Sequence, residues 1–501
     1  MAEKTIIIIG AGLAGLSAGV YAQINGYRAR IFEHHSQPGG VVASWKRGDY
    51  LIDGGFHFLM GHRPDAPTYA LYRALGLTEG SRFLDMELYA RFVDEESGIS
   101  VDVIPDLDRL AGDLKALFPD DARTIGEIIS GSRAMRDSGV GFEGMEKPQE
   151  LMGLMERIRS FWGMRGVFKY FGGKFGKPVA EYARDARSPV LRRIIENLFY
   201  PEVPVWFLFM ILGLLARRDM GLLEGGSLEF ARLIEKRFKD LGGEITYKAT
   251  VEKIVVENDR AVGIRLADGT EHRADVIVSA ADGYSTIFEM LEGRYVSDEI
   301  RNRHENWPLV RPLLTASFGV AREFKDDPPF EITFFAAPIV VGEERIPGMW
   351  IRVFNYSGKF APPGKTVVQA TVETSWDYWN DLRRQKVRYD AEKDRLAAEI
   401  LARLEVVYPG ISAQVEVTDV TTPYTTWRYT LNRRGAYEGW IPTPKAIMSK
   451  PIRTLPGLAG FYMAGQWVVP GGGVPPCLYS GRHVIQILRH RAGKPFLTTT
   501  S

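Results

Sequence analysis

Thr5-Ile-Ile-Ile-Ile9 runs directly into Gly10-Ala-Gly12-Leu-Ala-Gly15, and Glu33 closes the next strand-like stretch, Arg28 to Phe32. An apolar strand, a glycine turn, a helix and an acid after the second strand, in that order, form a dinucleotide-binding fingerprint. Gly10 makes the tight turn, Gly12 lets a pyrophosphate approach the backbone, and Gly15 lets helix and strand pack closely. Leu13 and Ala14 open the helix whose N-terminus receives the phosphates. Leu13, Leu16, Val20 and Ile24 share one helical face, and Gly26 stands where a left-handed cap ends the helix. Glu33 is placed to hydrogen-bond a ribose diol, and an acid there disfavours a 2′-phosphate, although His34 and His35 follow it. The competing reading is a tight strand-to-helix turn with no ligand.

At 501 residues the chain is long for one core, so two or more domains are expected. Lysine plus arginine number 63 and aspartate plus glutamate 62, a net charge of +1 that predicts no global attraction to nucleic acid or acidic partners. Cys477 is the single cysteine, which excludes an intramolecular disulfide and a multi-cysteine metal site. No histidine pair has metal-binding spacing, so no metal is expected. Only Met-Ala-Glu-Lys precedes the first strand, which leaves no room for a cleavable leader and leads to an expected cytoplasmic location. The longest apolar run, Val205 to Ala216, falls short of the ~20 residues that span a bilayer, so a buried or interfacial helix is expected there.

Three distant stretches belong with the fingerprint. Gly39-Gly40 through Gly54-Gly55, His57 and Phe58 is dense in glycine and suited to hugging a long ligand. From Gly225, Ser227 reads as an N-cap, Phe230, Leu233, Ile234, Phe238 and Leu241 as a helical stripe, and Gly242-Gly243 as its stop. Strands are predicted at Val251 to Val256, Ala261 to Leu266 and Arg273 to Ser279, a small antiparallel ribbon. Near the C-terminus Gly460-Phe-Tyr-Met-Ala-Gly465-Gln466-Trp467 reads as a short buried strand leaving into Pro470-Gly471-Gly472-Gly473-Val474-Pro475-Pro476, with a helix from about Leu478 to Leu488.

These four segments resemble flavin oxidoreductases of the phytoene desaturase group, closest to their carotenoid isomerase and retinol saturase relatives. The resemblance implies an α/β fold: a Rossmann-like FAD-binding domain from residues 1–75, 222–290 and 456–495, with an inserted α+β substrate domain from 76–221 and 291–455. It also implies FAD as cofactor, with phosphates on the first loop, adenine beside Val251, and the ribityl chain and ring along Gly465, Gln466, Gly472, Gly473 and Val474. Two positions depart from the wider superfamily that includes amine oxidases. Val41 stands where arginine often follows the paired glycines, and Gln466 where many relatives carry an acid. Both lean away from amine oxidation while backbone amides can still hold FAD.

The expected activity is desaturation, saturation or cis-trans isomerisation at a carbon-carbon bond of a lipophilic polyene or isoprenoid. An amine oxidase and a non-catalytic lipid or prenyl-protein escort of the same fold are the rivals. Without a second glycine fingerprint, electrons pass to a visiting quinone, dioxygen or other acceptor. His57 and Tyr479 lie in segments that approach the ring and are the candidates for moving a proton; a structural role is the competing reading for each. Arg428 and Tyr437 fall in a substrate-side segment with roles left open. Arg157 to Ala180 interleaves Arg157, Arg159, Arg165, Lys169, Lys174 and Lys177 with Phe161, Trp162, Phe168, Tyr170, Phe171 and Phe175. That pattern suits peripheral membrane contact across 157–216 or, equally, a lid with its rings packed inward. No nucleic-acid motif accompanies it. Further strands are predicted at Leu313 to Ala321, Gly348 to Phe354 and Thr366 to Glu373, with a charged helix at Ala391 to Val407.

Overall fold

The strand Thr5–Ile9 lies at the centre of a five-stranded parallel sheet in a computed structural model that describes residues 4–139, 141–142, 144–163 and 165–499. The sheet order is Glu244–Thr246, Arg28–Phe32, Thr5–Ile9, Val276–Ser279, Phe461–Met463. The chain adds strands on one side of Thr5–Ile9 and then crosses to the other, so a crevice opens beyond the ends of Thr5–Ile9 and Val276–Ser279. Ligands of doubly wound sheets bind at such a reversal point. Ile6 and Ile8 pack under the helices Leu13–Ile24, Ser227–Asp240 and Val474–Arg491, while Ile7 and Ile9 pack against the antiparallel ribbon. Burial on both faces explains why the first strand is apolar throughout.

The first and last helices touch backbone to backbone. A Cβ at Gly481 would stand 2.2 Å from the Ala14 carbonyl oxygen, and Ser17 Oγ donates to the Leu478 carbonyl at 2.7 Å. The first helix spans Leu13–Ile24, with Gly26 at φ +75° beyond it, as the sequence predicts. The C-terminal helix is longer than predicted, Val474–Arg491, because Pro475 and Pro476 occupy its first turn, where a missing N–H costs nothing.

Two sequence expectations need correction here. Arg273 to Ser279 is two strands: Glu271–Arg273 closes the ribbon, and Val276–Ser279 enters the parallel sheet. Asp275 is the joint, accepting from Thr5 N at 2.8 Å while its own N–H donates to the Thr5 carbonyl. Ser227 does not cap its helix; Gly226 holds the N-cap position. The first amides are satisfied from the hairpin Ser44–Arg47/Tyr50–Asp53, Ser227 N donating to Asp53 Oδ2 at 3.1 Å and Leu228 N to Ser44 Oγ at 3.0 Å. The glycine-rich stretch is thereby tied to the helix behind it.

A seven-stranded sheet forms the second layer, ordered Val415–Thr421, Leu313–Val320, Thr366–Glu373, Glu344–Val353, Phe330–Val341, Ala90–Asp94, Ile99–Val103. The helix Lys386–Val407 covers one part through Leu396, Ile400 and Leu404. Helices Ala122–Ser138 and Val205–Ala216 cover Phe92, Ile332 and Phe334. Val205–Ala216 is thus a core helix. A small sheet joins Leu59–Met60, Met220–Leu223 and Phe83–Asp85.

The basic, aromatic stretch divides. Tyr170, Phe171 and Phe175 turn inward onto Phe209 and Trp206. The helix Leu154–Gly163 instead exposes Leu154 (75%), Met155 (76%) and Trp162 (63%), with Ile158 on the same side. The side chains of Arg159 and Phe161 lie outside the described residues. Among the described residues no helix is long and apolar enough to cross a membrane, and no cluster of metal-ligating side chains occurs.

Candidate active site

One cavity of about 890 Å³ opens at the reversal point of the parallel sheet. Gly10, Gly12, Leu13, Ala14, Glu33, Gly39, Gly40, Gly54, Gly55, Val251, Gly465, Gln466, Gly472, Gly473 and Val474 all line it. Gly15 stands behind this wall, where a Cβ would lie 1.9 Å from the Gly10 carbonyl oxygen, so only hydrogen fits between helix and turn. Gly10 itself sits at φ +95°, a conformation that L side chains avoid. Gly12 is different: its φ is −69°, and a Cβ there meets no protein atom within 4 Å. It faces open cavity.

Glu33 is buried at the end of its strand and accepts from Ala11 N at 2.6 Å and His35 N at 2.7 Å. Burial raises its pKa, and the two amides oppose that shift. The acid therefore braces the glycine turn as well as lining the cavity. Asp53 does similar work for the second glycine stretch, accepting from Gly55 N at 3.0 Å beside Ser227. Neither helix Leu13–Ile24 nor helix Val474–Arg491 has a side-chain cap, and residues at both N-termini line the cavity. Two positive helix ends facing one long cleft suit an anionic dinucleotide.

Residues 13–486 match the family described as flavin containing amine oxidoreductase. The chain belongs to that family. It is a flavin-dependent oxidoreductase whose cofactor is FAD, and the glycine cradle, the buried Glu33 and the two uncapped helix ends fit that group. The chain is 24% identical to a chloroplastic prolycopene isomerase of Arabidopsis thaliana, over 95% of its length and 81% of that protein's. It is likewise 24% identical to a neurosporene-forming phytoene desaturase of Rhodobacter capsulatus, covering 96% and 93%. Among solved structures, putrescine oxidase bound to putrescine superposes with a TM-score of 0.62 at 14% identity, over 98% of this chain and 100% of that one. That last likeness is one of fold.

Beyond the glycine cradle much of the flavoenzyme's cavity wall is apolar and aromatic. Phe58, Phe199, Trp206, Phe207, Met210, Phe330, Ile332 and Trp350 line it, contributed by both the helical layer and the seven-stranded sheet. His57 also lines it, its ring 5.7 Å from Phe330 and 6.0 Å from Trp350. Burial, with the charge of Arg352, pushes its pKa down to about 3, so the imidazole is neutral at working pH and a poor proton donor. Tyr479 is not in the cavity wall. It is fully buried in the core between the first and last helices, near His483, because the proline-started helix turns that face inward. The structure therefore does not bring Tyr479 to the cavity that His57 lines.

Three groups that sequence reasoning did not single out complete the site. Tyr200 and Glu438 line the cavity beside Tyr437, whereas Arg428 does not. Tyr200 OH donates to Glu438 Oε2 at 3.2 Å and lies 2.6 Å from Tyr437 OH. Asp282 also lines the cavity, and burial raises its pKa to about 6, but its oxygens accept from Ser285 N and Arg433 N, each at 2.8 Å, and it fastens two loops.

Proposed function

We propose that this flavoenzyme acts on carbon-carbon bonds of a lipophilic polyene or isoprenoid, by desaturation, saturation or cis-trans isomerisation. The single observation that carries the reading is the aromatic and aliphatic wall of Phe58, Phe199, Trp206, Phe207, Met210, Phe330 and Trp350 within the same cavity as the FAD cradle. The names of the curated relatives, a prolycopene isomerase and a phytoene desaturase, support the same substrate class. FAD bound there supplies the two-electron exchange. The protein's share is to hold an extended apolar chain against it and exclude water, since proximity in a dry site is most of what such chemistry asks of its scaffold.

Val41 and the apolar lining speak against amine oxidation, and a functional FAD cradle leaves the escort reading without support. A quinone, dioxygen or another visiting acceptor takes the electrons when the reaction is a net oxidation. The substrate enters from a lipid surface. The exposed Leu154, Met155, Ile158 and Trp162, with Arg157 exposed on the same helix and Arg165 just past its end, give an apolar face bordered by cations, the pattern that anionic headgroups attract. The reading is tested by incubating FAD-loaded protein with a panel of polyene lipids and a panel of amines, then separating products by chromatography. A changed number or geometry of double bonds is expected; an oxidised amine with untouched polyenes refutes it.

A further inference from the structure

We propose that Glu438, held by Tyr200 beside Tyr437 in the cavity wall, takes up and returns the proton when a carbon-carbon bond of the substrate is dehydrogenated or hydrogenated. The inference rests on the carbon-carbon reading above. It is carried by where Glu438 sits. The segment Tyr437 to Gly439 packs against the loop that follows the last parallel strand: a Cβ at Gly472 would meet the Glu438 carbonyl oxygen at 2.7 Å, and one at Gly439 the Gln466 carbonyl oxygen at 3.0 Å. Tyr200 comes from the helical layer, 238 residues away in sequence, and places its hydroxyl on the carboxyl group. Glu438 is thus fixed at the seam between the glycine loop and the aromatic wall.

The groups facing it leave it as the proton-exchanging member. Tyr200 and Tyr437 have pKa values well above the usual phenol range, through burial and the neighbouring carboxyl groups, and stay protonated. Cys477, in the first turn of the C-terminal helix, is pushed up to about 12 by burial and by Glu438. Glu373, whose charge also reaches the two tyrosines, is paired with Arg311 at 3.3 Å. Burial raises the Glu438 carboxyl to about 7, with the Tyr200 hydroxyl opposing, so both protonation states are populated near neutrality, where a general acid or base is most effective.

FAD held in the glycine cradle would supply the oxidant for dehydrogenation, taking a hydrogen with its bonding electron pair from one carbon. The hydrogen on the neighbouring carbon leaves as a proton to Glu438 Oε, and the pair left behind becomes the new π bond. Hydrogenation is the reverse, with Glu438 donating. Dehydrogenation therefore needs the carboxylate, and its rate rises with pH through the Glu438 midpoint.

The test compares FAD-loaded wild type, Glu438→Gln and Tyr200→Phe by infrared difference spectroscopy between about pH 6 and about pH 8, and by turnover of a polyene panel across the same range. A protonated-carboxyl component fading with a midpoint of about 7 in wild type, missing from Glu438→Gln, where the Asp282 component with its midpoint of about 6 remains, and shifted to higher pH in Tyr200→Phe, is expected. Loss of about 100-fold or more in kcat for dehydrogenation, with a flattened pH profile and unchanged flavin content, is expected of Glu438→Gln. A component with a midpoint of about 7 that persists in Glu438→Gln overturns the assignment, as does a Glu438→Gln variant with wild-type kcat and pH profile. Wild type that turns over none of the panel overturns the substrate reading instead, and the infrared titration then decides Glu438 by itself.

Discussion

Replacing Gly12 by alanine separates the ligand's demand on the sequence from the fold's. The backbone there has φ −69° and ψ 175°, which alanine adopts freely, and the added Cβ meets no protein atom within 4 Å. Folding therefore gives no reason for glycine. The substitution should leave the apo protein as stable as wild type, or slightly more so, by up to about 1 kcal/mol from the stiffened unfolded chain. The methyl group points into the cavity where the pyrophosphate approaches. Pushing that group off two amides at the helix N-terminus forfeits charge-assisted hydrogen bonds of about 1.5 kcal/mol each or more, a total near 3 kcal/mol and about a 100-fold weaker FAD complex. Gly15→Ala should behave differently. Its Cβ would sit 1.9 Å from Gly10 O, whereas ordinary contact begins at 3.4 Å, so helix and turn must separate by about 1.5 Å. That overpacking costs about 1–3 kcal/mol in the apo protein as well as affinity. Thermal denaturation of apo protein and fluorescence titration with FAD read both effects. A Gly12→Ala variant that binds FAD like wild type, or that unfolds early without it, refutes the reasoning.

Met210→Trp should fill the apolar end of the cavity, cutting turnover of long polyenes while flavin content stays at the wild-type level; equal turnover counts against that wall as the substrate surface. Ile158→Asp with Trp162→Asp should abolish co-sedimentation with vesicles containing phosphatidylglycerol, and wild-type binding should weaken with salt; unchanged binding of the variant removes that helix from the lipid contact. His483 donates from Nε2 to Met145 O at 2.6 Å and accepts at Nδ1 from Arg453 at 3.0 Å, and burial with the Arg453 charge lowers its pKa to about 3. The unfolded chain, with a value of about 6.5, binds more protons between those limits, so this group makes stability rise with pH across that window by up to about 1.4 kcal/mol per unit. Urea denaturation at several pH values should show a shallower slope for His483→Gln, and identical slopes contradict it.

The cofactor half of the site is legible in the chain because its signals are local. A strand, a glycine turn and a helix lie within residues 5–24, and each glycine meets its constraint within a few residues or across one sheet. Even so, Arg273 to Ser279 reads as one strand, since nothing local marks Asp275 as the point where the chain leaves the ribbon for the parallel sheet. Ser227 looks like a helix cap, and the true partners of that helix end, Asp53 and Ser44, are more than 170 residues distant. The sequence reading does not reach the strands Ala90–Asp94, Ile99–Val103, Phe330–Val341 and Val415–Thr421, because their places depend on partners in a seven-stranded sheet. The proton chemistry is the least legible part. His57 and Tyr479 stand out as residue types beside glycine-rich segments, whereas Glu438 is an ordinary acid until Tyr200 is folded onto it in the cavity wall. The one available signal was Tyr437, its neighbour in Gly435-Ala-Tyr-Glu-Gly439-Trp440.

The most direct measurement is the visible spectrum of the FAD-loaded protein before and after anaerobic addition of polyene lipids, with chromatography of the same samples. Bleaching of the flavin with gain of a double bond, or an unbleached flavin with altered double-bond geometry, is the result the account predicts. A protein that stays colourless after reconstitution with FAD contradicts it.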